Sequence, residues 1–191
     1  MLDKLIKETT NAVIAAIDGA DDILDAFRGA VKNQIVNALK DVQEISTSGL
    51  DAVTAVVVGA VEGTKKVAVS LTDAARASVR MAIVGVSEVG GDVFTAARNA
   101  AHGAVEGASG IGGDLGKTAV AAVEGVIVAA RAIGVDTAEA VENAVVGTLH
   151  AADSVGSEAA STVRKALLSA ASLPRDIVER AIKGTPGKNQ Q

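Results

Sequence analysis

Alanine recurs about every 22 residues along this chain, and that period restricts the fold more than any other feature of the sequence. The neighbouring apolar columns are three or four residues apart, which is the spacing of one face of an α-helix. We therefore predict an all-α protein of long amphipathic helices, in which each 22-residue repeat contains two 11-residue units. The alanine column runs through eight consecutive repeats, one of them four residues short: Ala16, Ala38, Ala60, Ala82, Ala100, Ala122, Ala144 and Ala166.

The small side chains on this face predict close contacts between helices. Hydrophobic residues make up 49% of the chain and aromatic residues only 1%, so alanine and valine supply most of the apolar surface. Glycines four residues apart expose backbone on one helix face, and this allows two helices to approach closely. The predicted helix-packing interface adds these residues to the alanine column: Val57, Val79, Ile83, Val123, Val141, Val145, Gly59, Gly63, Gly103, Gly107, Gly112 and Gly116.

The repeat region is expected to cover residues 1–172, with a hinge or hairpin at 85–92 or 103–116, where glycines are concentrated. Pro174 interrupts the pattern and can open a short helix over 174–184, which leaves 185–191 as a flexible tail. The period leaves open a hairpin or bundle, a continuous rod, and a self-assembled coiled coil. A β-solenoid is less favoured, because it gives no reason for the three- and four-residue spacing.

The charge and the N-terminal residues bear on partners and location. The formal net charge is −5, so the chain lacks the excess of basic residues that is typical of nucleic-acid-binding proteins. Absence of cysteine excludes disulfides and thiolate chemistry. No signal-peptide core is apparent, and the most apolar stretches, 52–61 and 119–135, are too short or too charged to span a bilayer. We expect a cytoplasmic protein, or one peripheral to a membrane or a lipid or storage particle.

No catalytic, cofactor or metal site and no small-molecule substrate is predicted. The segment 110–118 resembles a phosphate loop, but Ile111 occupies the position of the required first glycine. His102 and His150 fall in polar columns and are expected to be solvated. One acidic column supplies a single carboxylate per repeat, too few for a metal shell, so helix-edge polarity explains it better: Asp92, Asp114, Asp136 and Glu158.

In style, the repeats resemble the 11-residue amphipathic helices of synucleins, perilipins and exchangeable apolipoproteins. VTAVVVGAVEG (53–63) and EGTKKVAV (62–69) carry this resemblance, which implies reversible adsorption to lipid surfaces. The sequence departs from those families in having sparse lysine and few bulky apolar residues. It resembles hendecad coiled-coil proteins equally well, and that resemblance implies assembly.

Two functions therefore follow from the sequence. The first is a non-enzymatic structural protein that self-associates through its wide Ala/Val/Gly helix face into a bundle, tube or filament, with a second copy of the chain as its partner. The alternative is a peripheral coat that binds membrane, lipid-droplet or storage-granule surfaces. We favour the first, because glycine and alanine add little lipid affinity but permit close helix contacts.

Overall fold

The computed structural model describes residues 2–40 and 47–184, and over these ranges it contains helices and no strand. The all-α prediction is confirmed, because the helices pack against one another as a bundle. A short 3-10 turn, Thr64–Lys66, follows the third helix. The predicted tail, 185–191, lies outside the described residues. The α-helices are α1 (Leu2–Ile17), α2 (Ile23–Lys40), α3 (Thr47–Gly63), α4 (Leu71–Glu88), α5 (Val93–Gly110), α6 (Leu115–Ile133), α7 (Thr137–Val155), α8 (Ser157–Ser169) and α9 (Arg175–Gly184).

Each 22-residue repeat in the middle of the chain is one helix followed by one tight turn. Gly90, Gly112 and Gly134 have φ values of +75°, +70° and +76°, a left-handed conformation that glycine adopts without a Cβ penalty. In the middle turn the amide of Gly113 donates to the carbonyl of Ala108 at 2.8 Å, five residues back, which closes a Schellman-type helix end. The chain therefore reverses at 89–92 and at 111–114, inside the two glycine-rich stretches, and also at 134–136.

The aspartate after each of these turns caps the next helix. The carboxylate of Asp92 accepts hydrogen bonds from the amides of Phe94 and Thr95 at 3.0 and 3.2 Å. Asp114 and Asp136 accept in the same way from amides three residues further along, at 2.9 and 3.0 Å. An N-cap side chain satisfies a helix amide that has no partner within the helix. The recurring Gly-x-Asp phrase thus marks the start of α5, α6 and α7.

The helices form two layers. Odd-numbered helices α1, α3, α5, α7 and α9 pack side by side in chain order, and even-numbered helices α2, α4, α6 and α8 do the same. Successive helices then pack across the two layers. Because each turn reverses the chain, helices two apart in sequence run parallel within one layer. This is the arrangement of an α-helical solenoid, in which each repeat contacts only its near neighbours.

Glycine sets the distance between parallel helices within a layer. A Cβ added to Gly103 of α5 would lie 2.7 Å from the carbonyl oxygen of Thr54 in α3, and one on Gly107 would lie 3.1 Å from the carbonyl oxygen of Val58. Gly125 of α6 faces the carbonyl of Arg76 in α4 at 2.5 Å. No larger side chain fits at these contacts without moving backbone. The same type of contact occurs in both layers.

The glycine contacts predict a pair of opposite stability changes. Gly103→Ala should destabilise the protein by a few kcal/mol, because the added methyl overpacks against a backbone carbonyl that cannot rotate away. Gly29→Ala is the matched control, since its Cβ would meet nothing within 4 Å in the middle of α2. That control should gain about 0.5–1 kcal/mol from helix propensity. Urea unfolding measures both, and equal effects would contradict the close-contact role.

The N-cap carboxylates predict that the stability of the folded chain depends on pH in the acidic range. The Lys117 amide lowers the pKa of the Asp114 carboxyl below its ordinary 3.8, against an opposing effect of burial, and the Lys117 side chain lowers it further. The ionised Asp114 carboxylate therefore stabilises the folded chain at pH values above 3.8. This contribution is lost as the pH falls through the lowered pKa that Asp114 has in the folded chain. Asp114→Ala should cost about 1 kcal/mol at neutral pH. Asp114→Asn should keep most of the cap, but should lose less stability than the wild type on acidification in thermal melts.

Candidate functional site

The structure places most of the predicted interface inside the core of a single chain. Five members of the alanine column are fully covered by helices of the same chain: Ala60, Ala82, Ala100, Ala122 and Ala144. The six apolar partners are buried as well: Val57, Val79, Ile83, Val123, Val141 and Val145. On the terminal helices, Ala38 and Ala166 are half-buried and Ala16 is exposed. The face thus packs within the molecule and remains open only toward the two ends.

The predicted glycine pairs divide between packing and turning. Gly59 and Gly63 of α3 contact α1, while Gly103 and Gly107 of α5 contact α3. In the third pair, a Cβ on Gly116 would lie 3.0 Å from the Cβ of Ala166 in α8. Gly112 instead lies in the α5–α6 turn, where a Cβ would meet nothing within 4 Å. Two of the three pairs therefore bring parallel helices together through both glycines, and the third does so through Gly116 alone.

A groove crosses three helices of the odd-numbered layer and is the first candidate binding site. Its volume is about 370 Å³, and it is lined by residues of α1, α3 and α5: Leu2, Asp3, Ile6, Asp51, Thr54, Ala55, Val58, Asn99, His102 and Glu106. Buried Ala55 and Val58 supply an apolar floor, and the exposed carboxylates Asp51 and Glu106 lie at its edge. We call it the acidic groove. An apolar floor with peripheral charges is typical of a surface that takes an amphipathic partner.

The two histidines lie close to one another on the odd-numbered layer. His102 on α5 is 3.6 Å from the Glu106 carboxylate, measured from Nε2 to Oε2. Partial burial lowers the pKa of His150 on α7, and the positive charges of Arg98 and His102 lower it further, against an opposing effect of Asp153. Within the described residues no group of three or more His, Asp or Glu side chains is placed to hold a metal ion. His102 also lines the acidic groove, so the two histidines lie beside it.

A second groove crosses α4, α6 and α8 of the even-numbered layer and has a volume of about 390 Å³. At its side, Arg76 of α4 donates from Nε to the Glu124 carboxylate of α6 at 3.0 Å and also pairs with Asp73. Burial opposes the ionisation of Glu124, but hydrogen bonds from Ser172 and Arg76, with the charge of Arg76, lower its pKa below the ordinary 4.5. This ion pair ties two parallel helices together at the surface.

The segment that resembles a phosphate loop is a turn followed by a helix start. Residues 111–114 form the α5–α6 turn, and Asp114 caps α6. The Lys117 ammonium lies 3.5 Å from the Asp114 carboxylate. A carboxylate thus occupies the helix end where a phosphate loop would place the phosphate.

Comparison with protein-family models, with curated proteins and with solved structures gives no match. Within the described residues, no helix is both long enough and apolar enough to cross a membrane. The candidate sites therefore rest on their geometry and chemistry alone.

Sequence reasoning missed both grooves, although the sequence carries a signal for them. Residues 48 positions apart, such as His102 and His150, or Arg76 and Glu124, occupy similar heights on parallel neighbouring helices. That separation becomes meaningful only when each repeat is known to reverse the chain. In a continuous helix the same residues would be about 70 Å apart.

The lowered pKa of His150 predicts that the folded chain becomes less stable in mild acid. Because its pKa is lowered below the ordinary 6.5, the unfolded chain takes up a proton before the folded chain does, and stability declines as the pH falls from that value. His150→Gln should reduce the drop in melting temperature between about pH 7.5 and about pH 5.5, which bracket the ordinary histidine pKa. Lys183→Gln, an exposed cation on α9, is the control and should leave the drop unchanged.

Proposed function

We propose that the chain is a non-enzymatic structural protein, a finite helical-repeat scaffold that binds a partner polypeptide in the acidic groove. The observation that carries the proposal is the burial of the Ala/Val/Gly face within one chain, which leaves the outer faces of the layers for partners. The helices at the two ends of the layers carry exposed charges, including Lys4 and Lys7 on α1 and Glu158 and Lys165 on α8. Repeat proteins need such polar ends to remain soluble.

The chemistry of the groove favours a basic amphipathic segment as the partner. Apolar side chains of that segment would lie in the groove above Ala55 and Val58, and its lysines or arginines would approach Asp51 and Glu106. Burial of apolar anchors supplies most of the affinity in such contacts, while peripheral charges set the association rate and exclude wrong partners. Leu2, which is 45% exposed, would add an apolar contact at one end.

Charge reversal tests the groove directly. Asp51→Lys/Glu106→Lys should lose the partner recovered by affinity capture with the wild-type chain, because both carboxylates become repulsive toward a basic segment. Asp18→Lys/Asp21→Lys is the control, since it changes the net charge equally at exposed positions between α1 and α2. Equal recovery by the two variants would contradict binding in the groove, and circular dichroism checks that each is folded.

Self-association is the second candidate, and a specific observation favours it. Ala16, the member of the alanine column on α1, is exposed, so the packing face remains open at that end of the odd-numbered layer. A second copy docked end to end would extend the stack and form an open filament. Light scattering separates the candidates, because the finite scaffold predicts 19.0 kDa and filaments predict multiples of it. Ala16→Glu should then reduce the mass only if the ends associate.

A lipid coat makes a different prediction, which circular dichroism with and without vesicles measures. The large exposed apolar side chains of the described residues are dispersed over the surface: Leu2, Val128, Val155 and Leu168. A coat would have to open the layers to expose its apolar face. Helicity that depends on vesicles would support the coat and contradict the scaffold.

A further inference from the structure

One histidine lies among the carboxylates of the acidic groove. Asp3, Asp51 and Glu106 line the groove together with His102, and none of the described lining residues is a lysine or an arginine. Histidine is the residue type that changes charge between pH 8 and pH 5, whereas aspartate and glutamate stay largely ionised over that range. Among the described residues, the charge of the groove is therefore set by three carboxylates and one imidazole.

The packing of α5 against α3 fixes the position of His102. Thr54 of α3 donates a hydrogen bond from Oγ1 to the Asn99 carbonyl of α5 at 3.2 Å. Gly103, the residue after His102, packs so closely that a Cβ on it would lie 2.7 Å from the Thr54 carbonyl oxygen. The His102 side chain is 32% exposed, so its ring lines the groove and still reaches solvent. A proton can therefore bind to the ring without any separation of the helices.

Charged groups surround His102 within the odd-numbered layer, and the nearest of them is a carboxylate. Nε2 of His102 lies 3.6 Å from Oε2 of Glu106, one turn further along α5. Helices α4 and α6 also pack on α5, but they belong to the other layer and contribute no residue to the groove. The charged or titratable side chains around His102 come from four helices: Asp3 of α1, Asp51 of α3, Arg98 and Glu106 of α5, and His150 and Asp153 of α7.

We propose that protonation of His102 weakens the binding of a basic segment in the acidic groove, so that the scaffold holds its partner less tightly in mild acid. This inference rests on the proposed function, because it concerns the regulation of the same groove. Once protonated, His102 forms an ion pair with Glu106 and so compensates one of the three carboxylates. It also places a positive charge beside the lysines or arginines of the partner, and like charges that meet at an interface repel.

A rhodamine-labelled amphipathic peptide of leucine and lysine is the probe, and its fluorescence anisotropy measures binding to the full chain at about pH 7 and about pH 5.5 at constant ionic strength. The wild type should bind the peptide roughly threefold to tenfold more weakly at the lower pH, the effect of one added charge near the surface. His102→Gln should bind equally at both pH values, because its side chain stays neutral. His102→Arg should bind weakly at both, because its charge is permanent.

His150→Gln is the matched control. It removes the other of the two histidines of the chain, which lies outside the groove, and should keep the dependence on pH. Circular dichroism at both pH values shows whether each variant is folded. His102→Arg tests the same charge independently if His102→Gln does not fold.

The outcomes separate the regulation from the proposed function. Absence of peptide binding at either pH, or binding that Asp51→Lys/Glu106→Lys retains, would contradict the proposed function and this inference with it. Binding in the groove with equal affinity at both pH values would overturn the inference alone. A dependence on pH that His102→Gln retains would do the same.

Discussion

The contact between parallel helices two apart in sequence is the constraint on which the rest of the structure depends. At Gly103, Gly107 and Gly125 the backbone of one helix rests on carbonyl groups of the next helix in its layer. That short distance within each layer suits a core of alanine and valine, in which Phe27 of α2 is the largest fully buried side chain. The layer is therefore narrow, regular and closely packed, and the core grows by adding repeats.

The turns make this contact available. A left-handed glycine ends each central helix and an aspartate caps the next one, so the chain reverses with only a few residues of connection. If the helices continued through the turns, the alanine column would lie along a single long face and would need other chains to cover it. Reversal instead places equivalent columns of α3 to α7 against each other, and the chain covers its own apolar face.

This self-coverage changes which parts of the molecule can carry function. Side chains that the sequence pattern identifies as an interface are mostly core, and the outer faces of the two layers become the available surface. The acidic groove and the groove across α4, α6 and α8 lie on opposite layers. Each combines residues of three helices whose positions are fixed by the glycine contacts beneath them.

The sequence by itself determined the helical class, the 22-residue unit and the small-residue packing face, because each follows from local spacing. The sequence also determined where the central turns lie, because Gly90, Gly112 and Gly134 each precede a capping aspartate by two residues. Only the tertiary structure decided that the chain reverses at every such phrase, because an apolar period of 22 residues is also satisfied by an unbroken helix. For the same reason, residues 48 positions apart became neighbours only on folding. The grooves and the histidine pair depend on that long-range pairing, which no local pattern specifies.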